Sequence, residues 1–225
     1  MLAELLENNR NLLQKTNSYL LPQLNEIIGL VTRLEQTAGA DYAEAFERME
    51  LPKGYYLLRA GTVCRHYWFL EKGLARIFAC INGVEVNRYF FFPAEIIDSH
   101  GSSSLQLPSE ASIQLLEHSV VYRIRKSQID ELKCIYPLIS DIERVLIDCY
   151  TKWINERICL LLSACAIKRY QALMVRQPSL AKYISVSHLS SYLGMSRETL
   201  SRLRSTVLSM VIALPMAPCY DLMAS

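Results

Sequence analysis

Apolar and polar positions along the chain change rhythm more than once. From Met1 to about Arg48, leucines and isoleucines recur at helical spacing with few glycines or prolines, which predicts helices packed on the next segment of the chain. From Leu51, short β-branched and aromatic runs alternate with Gly54, Gly61, Gly73 and Gly83, and Asn82-Gly83 is a strong hairpin signal. Short strands closing into an antiparallel barrel or sandwich are therefore expected over about Leu51 to Ile124. Five of the eight glycines lie between Gly54 and Gly101 and only Gly194 comes later, so helices should then take over.

Ser127 is a plausible N-cap for the short helix "SQIDELKCIY", and Pro137 can open a second helix at its first turn. In that second helix Ile139, Leu146, Trp153 and Leu160 recur every seven residues, with Ile142, Cys149, Glu156 and Ser163 three positions on. This is an a/d seam over about three heptads. Such a seam suits a pairing of two chains and equally a bundle helix buried inside one subunit.

Near the end, "SHLSSYLG" gives a short helix with Leu189 and Leu193 inward and small Ser190 where two helices could approach closely. Gly194 can take the positive φ of a tight turn, and Met195 fills the space beneath it. In the next helix, at 100° per residue, Arg197, Ser201, Ser205, Glu198 and Arg202 fall within an arc of about 140°. Leu200, Leu203 and Val207 sit on the opposite side. Leu189, Ser190, Leu193, Gly194, Met195, Leu200 and Leu203 together satisfy the spacing of a helix-turn-helix, whose second helix enters DNA. An arginine can bond O6 and N7 of a guanine at once, and a carboxylate can accept from a cytosine amino group, so this face suits a major groove. An arbitrary basic helix is only a solvated face; the glycine, the small residue and the polar identities, required together, separate this one from that case.

Charge supports the same end of the chain. The formal net charge of +2 hides an asymmetry, because from Lys168 onward seven Lys and Arg face two acids, while 17 face 20 before it. The seven cysteines, Cys64, Cys80, Cys134, Cys149, Cys159, Cys165 and Cys219, are an odd number with no CxxC pair, as reduced cytoplasmic thiols would be. No apolar run approaches the roughly 18 residues a membrane span requires, so a soluble cytoplasmic protein with no membrane partner is expected. A cupin-like metal enzyme wants an HxH pair, and no two histidines are closer than His100 and His118. No Ser/His/Asp arrangement, GxGxxG or P-loop suggests catalysis, and neither an enzyme nor a metal site is expected.

With these parts in this order, the chain resembles the Crp/Fnr family of bacterial transcription regulators. "SRETLSR" is close to that family's recognition-helix signature, and "LRAG", "FLEKGLARIF" and "FFFPAEII" sit where its strands and turns would. The resemblance covers about Leu51 to Ser205. It implies an α+β fold: N-terminal helices at 1–50, a cyclic-nucleotide-binding-like antiparallel β-roll (a double-stranded β-helix) as sensory domain at 51–126, and a linker and long dimerisation helix at 127–167. A helix-turn-helix domain of the winged-helix type, with an apolar tail and without a full wing, then occupies 168–225. By the same likeness Arg197, Glu198 and Arg202 take the base-reading positions on a TGTGA-like half-site, with Ser187, His188, Ser196, Thr199 and Ser201 at the same DNA interface. Two half-sites about one helical turn (~34 Å) apart require a two-fold dimer. That favours the homodimer reading of the seam, through Ile139, Ile142, Leu146, Cys149 and Trp153. A palindromic DNA site and RNA polymerase are the implied partners.

Departures from the family pattern bear on regulation. The family's cyclic-nucleotide-binding members hold the ribose with a Gly-Glu and the phosphate with an arginine, which cancels its charge. Here the ribose glutamate becomes Ser99 and the phosphate arginine becomes Ser109, with Glu110 beside it. No cofactor, and no control by cyclic AMP, is therefore expected. Ser102, Ser103 and Ser104 after Gly101 read as a solvent-exposed loop; the alternative is a polar loop over some other small molecule or nucleotide. The first cysteine is Cys64, so no N-terminal iron-sulfur cluster motif is present, and His66, His100, His118 and His188 show no haem-ligand pairing. The tail after Arg204 has no Lys or Arg, and Lys168, Arg169, Arg176 and Lys182 are the candidates to supply the missing phosphate contacts.

Overall fold

The computed structural model describes residues 2–11, 13 and 21–211, with residues 21, 22, 40 and 206–211 described by backbone alone. Among the described residues, helices α1 (Leu2–Asn8) and α2 (Leu21–Glu44) precede eight strands. These are β1 (Glu47–Leu51), β2 (Tyr56–Leu58), β3 (His66–Lys72), β4 (Ala75–Ile81), β5 (Val84–Phe91), β6 (Ile96–Ile97), β7 (Ala111–Leu115) and β8 (Ser119–Arg125). Helix α3 (His100–Leu105) lies between β6 and β7, and the described residues after β8 are mainly helical. They form α4 (Lys126–Ile135), α5 (Leu138–Ser163), α6 (Ala166–Arg176), α7 (Pro178–Tyr183), α8 (Val186–Leu193) and α9 (Arg197–Val211).

The strands form two antiparallel sheets of order β1-β8-β3-β6 and β2-β7-β4-β5, the β-roll read from the glycine-punctuated segment. Period-two burial, with Ala111, Ile113 and Leu115 inward along β7, explains why these runs are strands. The roll begins at Glu47, ahead of the expected Leu51, because Glu47 to Leu51 pairs with Arg123 to Ser119 on β8. Asn82 and Gly83, at φ of 52° and 78°, make the two-residue hairpin that joins Ile81 to Val84. Among the described residues no helix is long and apolar enough to cross a membrane.

At Gly73 the chain passes so close to β8 that a Cβ would lie 2.1 Å from the Ser119 hydroxyl oxygen and 2.9 Å from its Cα, on a backbone at φ 115°. Ser119 is fully buried. Gly73→Ala should therefore lower the thermal midpoint by about 5 °C or more, combining backbone strain with overpacking. An unchanged midpoint in a melting curve would contradict this close approach.

The long helix α5 corrects the expected seam. Ile139, Ile142 and Cys149 are buried in the chain's own second core with Leu24, Ile28 and Val31 of α2, and Leu146 packs half-buried beside them. The Cys149 thiol meets Gln23 Oε1 at 3.5 Å. Trp153 is buried in the other core, edge-on to Tyr89 at 4.9 Å. The heptad face as far as Trp153 thus packs within one chain: two adjacent apolar elements, α2 and the roll, need covering, and this face covers both. What α5 leaves exposed is a different stripe, Ile147, Tyr150, Ile158, Leu161 and Leu162, with Ile154 half-buried along it.

Candidate nucleic-acid interface

Helices α8 and α9 form the expected helix-turn-helix. Ser185 caps α8 by accepting from the His188 N–H at 3.2 Å, and Gly194 closes it at φ 62°, ψ 44°. Leu189 and Leu200 are fully buried, Leu193 nearly so, and Ser190, also buried, turns its hydroxyl back onto the Ser187 carbonyl at 3.0 Å. Met195 and Leu203 pack half-buried against the same core. With one face of each helix fixed in this way, the opposite face of α9 is presented outward.

That outward face carries Arg197, Glu198, Ser201 and Arg202, all exposed, which with Val186 line a shallow open concavity. The Glu198 carboxylate is held below its ordinary pKa by its own backbone N–H and by Ser196, with Arg197 and Arg202 adding to the effect, so it is ionised at neutral pH. Ser196 and Thr199 serve the helix start instead of standing free: the Ser196 hydroxyl accepts from the Thr199 N–H at 3.1 Å and lies 3.0 Å from the Thr199 hydroxyl. Ser187 is exposed at the start of α8. His188 is half-buried, and burial together with Arg76 pushes its imidazole pKa down, so it adds no positive charge at pH 7.

Of the basic residues expected on phosphates, Lys168 and Lys182 are exposed, while Arg176 and Arg169 are engaged elsewhere. Arg176 pairs with Glu156 at 2.8 Å, Lys182 stands 5.1 Å from the Tyr183 ring, and Arg169 turns inward onto α8. Arg204 donates to the Ala181 carbonyl at 3.1 Å. The apolar tail from Ile212 on, where a wing would begin, lies outside the described residues.

The domain is docked on the roll through a contact that nothing in the sequence announced. The Asn87 N–H on β5 donates to Ser191 Oγ at 3.0 Å, Ser191 Oγ donates to the Glu85 carbonyl at 2.7 Å, and Asn87 Nδ2 donates to the His188 carbonyl at 3.2 Å. Asn87 is oriented from beneath by Arg76, a buried guanidinium that also bonds Glu85 and Gln114. Phe90 packs on Tyr192 at 5.4 Å.

In the roll, the expected ligand-facing serines Ser99, Ser102, Ser103 and Ser109 are bonded within the chain. Ser102 and Ser103 are buried, not solvent-exposed, because Gly101 to Ser104 lie in helix α3. Ser102 Oγ accepts from the Cys64 N–H at 2.9 Å and Ser103 donates to Asp98 at 2.9 Å. Ser99 and Ser109, expected at the ribose and phosphate positions, lie 2.9 Å apart, and Ser109 also bonds the backbone of Ala111. Glu110 points to solvent, with its carboxylate 3.7 Å from Arg88. Among the described residues no three His, Cys, Asp or Glu side chains gather as metal ligands.

No protein-family model matches the sequence, and no curated protein matches it. Solved structures do. FixK2 from Bradyrhizobium japonicum aligns with a TM-score of 0.64 at 14% identity, over 76% of this chain and 89% of that one. A transcriptional regulator of the Crp/Fnr family from Eubacterium rectale aligns at 0.59 and 13% identity, over 80% and 87%. The c-di-GMP-responsive global regulator CLP of Xanthomonas campestris aligns at 0.59 and 14%, over 81% and 96%. The fold is that of Crp/Fnr-type regulators.

Proposed function

We propose that the chain is a sequence-specific DNA-binding transcription regulator, not an enzyme, acting in the cytoplasm as a homodimer on a palindromic site and touching RNA polymerase from there. The observation that carries this is the α9 face: Arg197, Glu198, Ser201 and Arg202 stand exposed together while Leu200, on the other side, is fully buried. Base contacts require such donors and acceptors to be exposed and aligned on one face. Anisotropy titrations on duplexes recovered by selection, against random duplex, test the reading. An affinity ratio of about a thousand or more is expected, and equal affinities would reject it.

The second copy sits on the exposed stripe of α5. Counting 100° per residue, Ile147, Tyr150, Ile154, Ile158, Leu161 and Leu162 fall within an arc of about 120°, adjoining the face already buried in the chain. Leu162 is 84% exposed and Ile158 47%, an apolar surface left uncovered among the described residues. Two copies joined there would place their α9 faces about a two-fold axis, as two half-sites demand.

In this reading cyclic AMP is not the effector. The polar groups that would meet its ribose and phosphate are spent on each other, and no arginine stands at the phosphate position. Millimolar cyclic AMP should leave the melting midpoint unmoved, since only a ligand that prefers the folded state raises it. A rise of more than about 2 °C would contradict this.

A further inference from the structure

We infer that Arg157 and Arg169 are positioning residues, which set the direction of the recognition helix by holding the carboxyl end of α8. This role rests on the DNA-binding reading above and deepens it: Arg169, which charge alone assigns to the DNA-facing surface, acts instead through the turn, together with Arg157.

The last carbonyls of a helix have no partner within it and carry the negative end of its dipole. In α8 these carbonyls are met by two guanidinium groups from two other elements. Arg157, on α5, donates from Nη2 to the Tyr192 carbonyl at 2.6 Å. Its guanidinium carbon lies 3.7 Å from the centre of the Tyr192 ring and 5.8 Å from that of Trp153. Arg169, on α6, donates from Nη1 to the Leu193 carbonyl at 2.8 Å and to the Gly194 carbonyl at 3.0 Å. Three consecutive carbonyls, the last of them in the turn itself, are thus claimed by two cations.

Gly194 fits this arrangement twice over. Its φ of 62° favours glycine, and a Cβ there would also lie 2.9 Å from Arg169 Nη1, inside the seat of the guanidinium. Tyr192, buried on every side, gives Arg157 a flat ring to stack on, and its hydroxyl donates to Gln177 at 3.3 Å. Among the described residues neither arginine has a carboxylate within 4.0 Å, so what holds these cations is the carbonyl group of each contact and the aromatic face. Ser196 and Arg197 come directly after the turn, so the angle fixed at Gly194 is the angle at which α9 leaves. Arg157 also neighbours Ile158 on α5, which ties that angle to the helix on which the second copy is placed.

The test uses Arg157→Gln, Arg169→Gln and Arg169→Lys in the full chain, read by amide exchange and by DNA titration. Amide exchange over residues 195–203 should speed up by about tenfold or more in the Gln variants, and affinity for the selected site should fall by about tenfold to a hundredfold. Affinity for random duplex and its salt slope should stay as in the wild type. Arg169→Lys, which keeps a cation near the carbonyls, should recover part of both losses. A salt slope smaller by about one per substitution, with exchange unchanged, would make these residues phosphate contacts and overturn the inference. If Arg157→Gln fails to fold, the Arg169 pair of variants gives the same reading. Faster exchange in a protein that shows no sequence preference at all would instead reject the DNA-binding reading and leave the clamp standing.

Discussion

Replacing Arg197 and Arg202 together by alanine should weaken binding to the selected site by about a hundredfold to ten-thousandfold while the melting midpoint stays in place. Each good bidentate arginine-guanine pair is worth about 1 to 3 kcal/mol of discrimination, and tenfold in affinity is about 1.4 kcal/mol. Both side chains are exposed on α9, and the packing of that helix rests on Leu200 and Leu203 from the other face. Exposed substitutions of this kind move stability by about 0.5 kcal/mol or less, so lost binding cannot be lost folding. Random duplex should feel only the missing charges. Mobility shift and anisotropy on both duplexes, with a melting curve alongside, check the three parts of the expectation; retained specificity in the double variant would remove Arg197 and Arg202 from the interface.

The second large effect concerns the stripe on α5. Ile158→Glu with Leu161→Glu should leave a folded chain that sediments as a monomer, because both positions are exposed in the single chain but would meet apolar partners in a pair. Burying unpaired carboxylates costs several kcal/mol, enough to raise the dimer dissociation constant by about a thousandfold or more. Binding to the two-half-site duplex should fall by about a hundredfold or more as the second contact ceases to be intramolecular. Ile142→Glu supplies the contrast: that side chain is packed against α2, so its substitution should unfold the chain instead of separating two. Sedimentation and circular dichroism distinguish the outcomes. A folded dimer with glutamates at 158 and 161 would place the interface elsewhere.

These two faces of α5 show where the sequence is legible and where it is not. The seven-residue recurrence of Ile139, Leu146 and Trp153 reports that a face is buried, but a period carries no information about what buries it. For Ile139 and Leu146 the covering element proved to be α2, more than a hundred residues away in the chain, and for Trp153 it is the roll, pairings that no local pattern encodes. The exposed stripe was obscured because Ile147 and Ile158 do not extend that heptad. The helix-turn-helix, by contrast, was readable because its constraints are local: Gly194 must take positive φ, Ser190 must be small, and Leu189 and Leu200 must meet across one turn. The hairpin at Asn82-Gly83 was readable for the same reason.

Polar residues were harder to place, since composition gives a charge its sign and not its direction. Arg169 counted toward a basic surface yet points into the α8 carbonyls, and Arg176 is taken by Glu156. Ser102 and Ser103 read as loop because serine is common in loops; here they are buried, their hydroxyls satisfied by Cys64 and Asp98. Ser109, which the resemblance to the Crp/Fnr family sets where a phosphate arginine is expected, lies at hydrogen-bonding distance from Ser99, a pairing the sequence did not disclose.

Methylation of guanine N7, which lies in the major groove, bears most directly on the claim that a pair of α9 faces reads guanines there. On a selected duplex treated with dimethyl sulfate, interference should appear at guanines in two clusters whose centres lie about one helical turn, roughly 34 Å, apart. Interference confined to adenine N3 in the minor groove, or a single cluster with no two-fold counterpart, would contradict it.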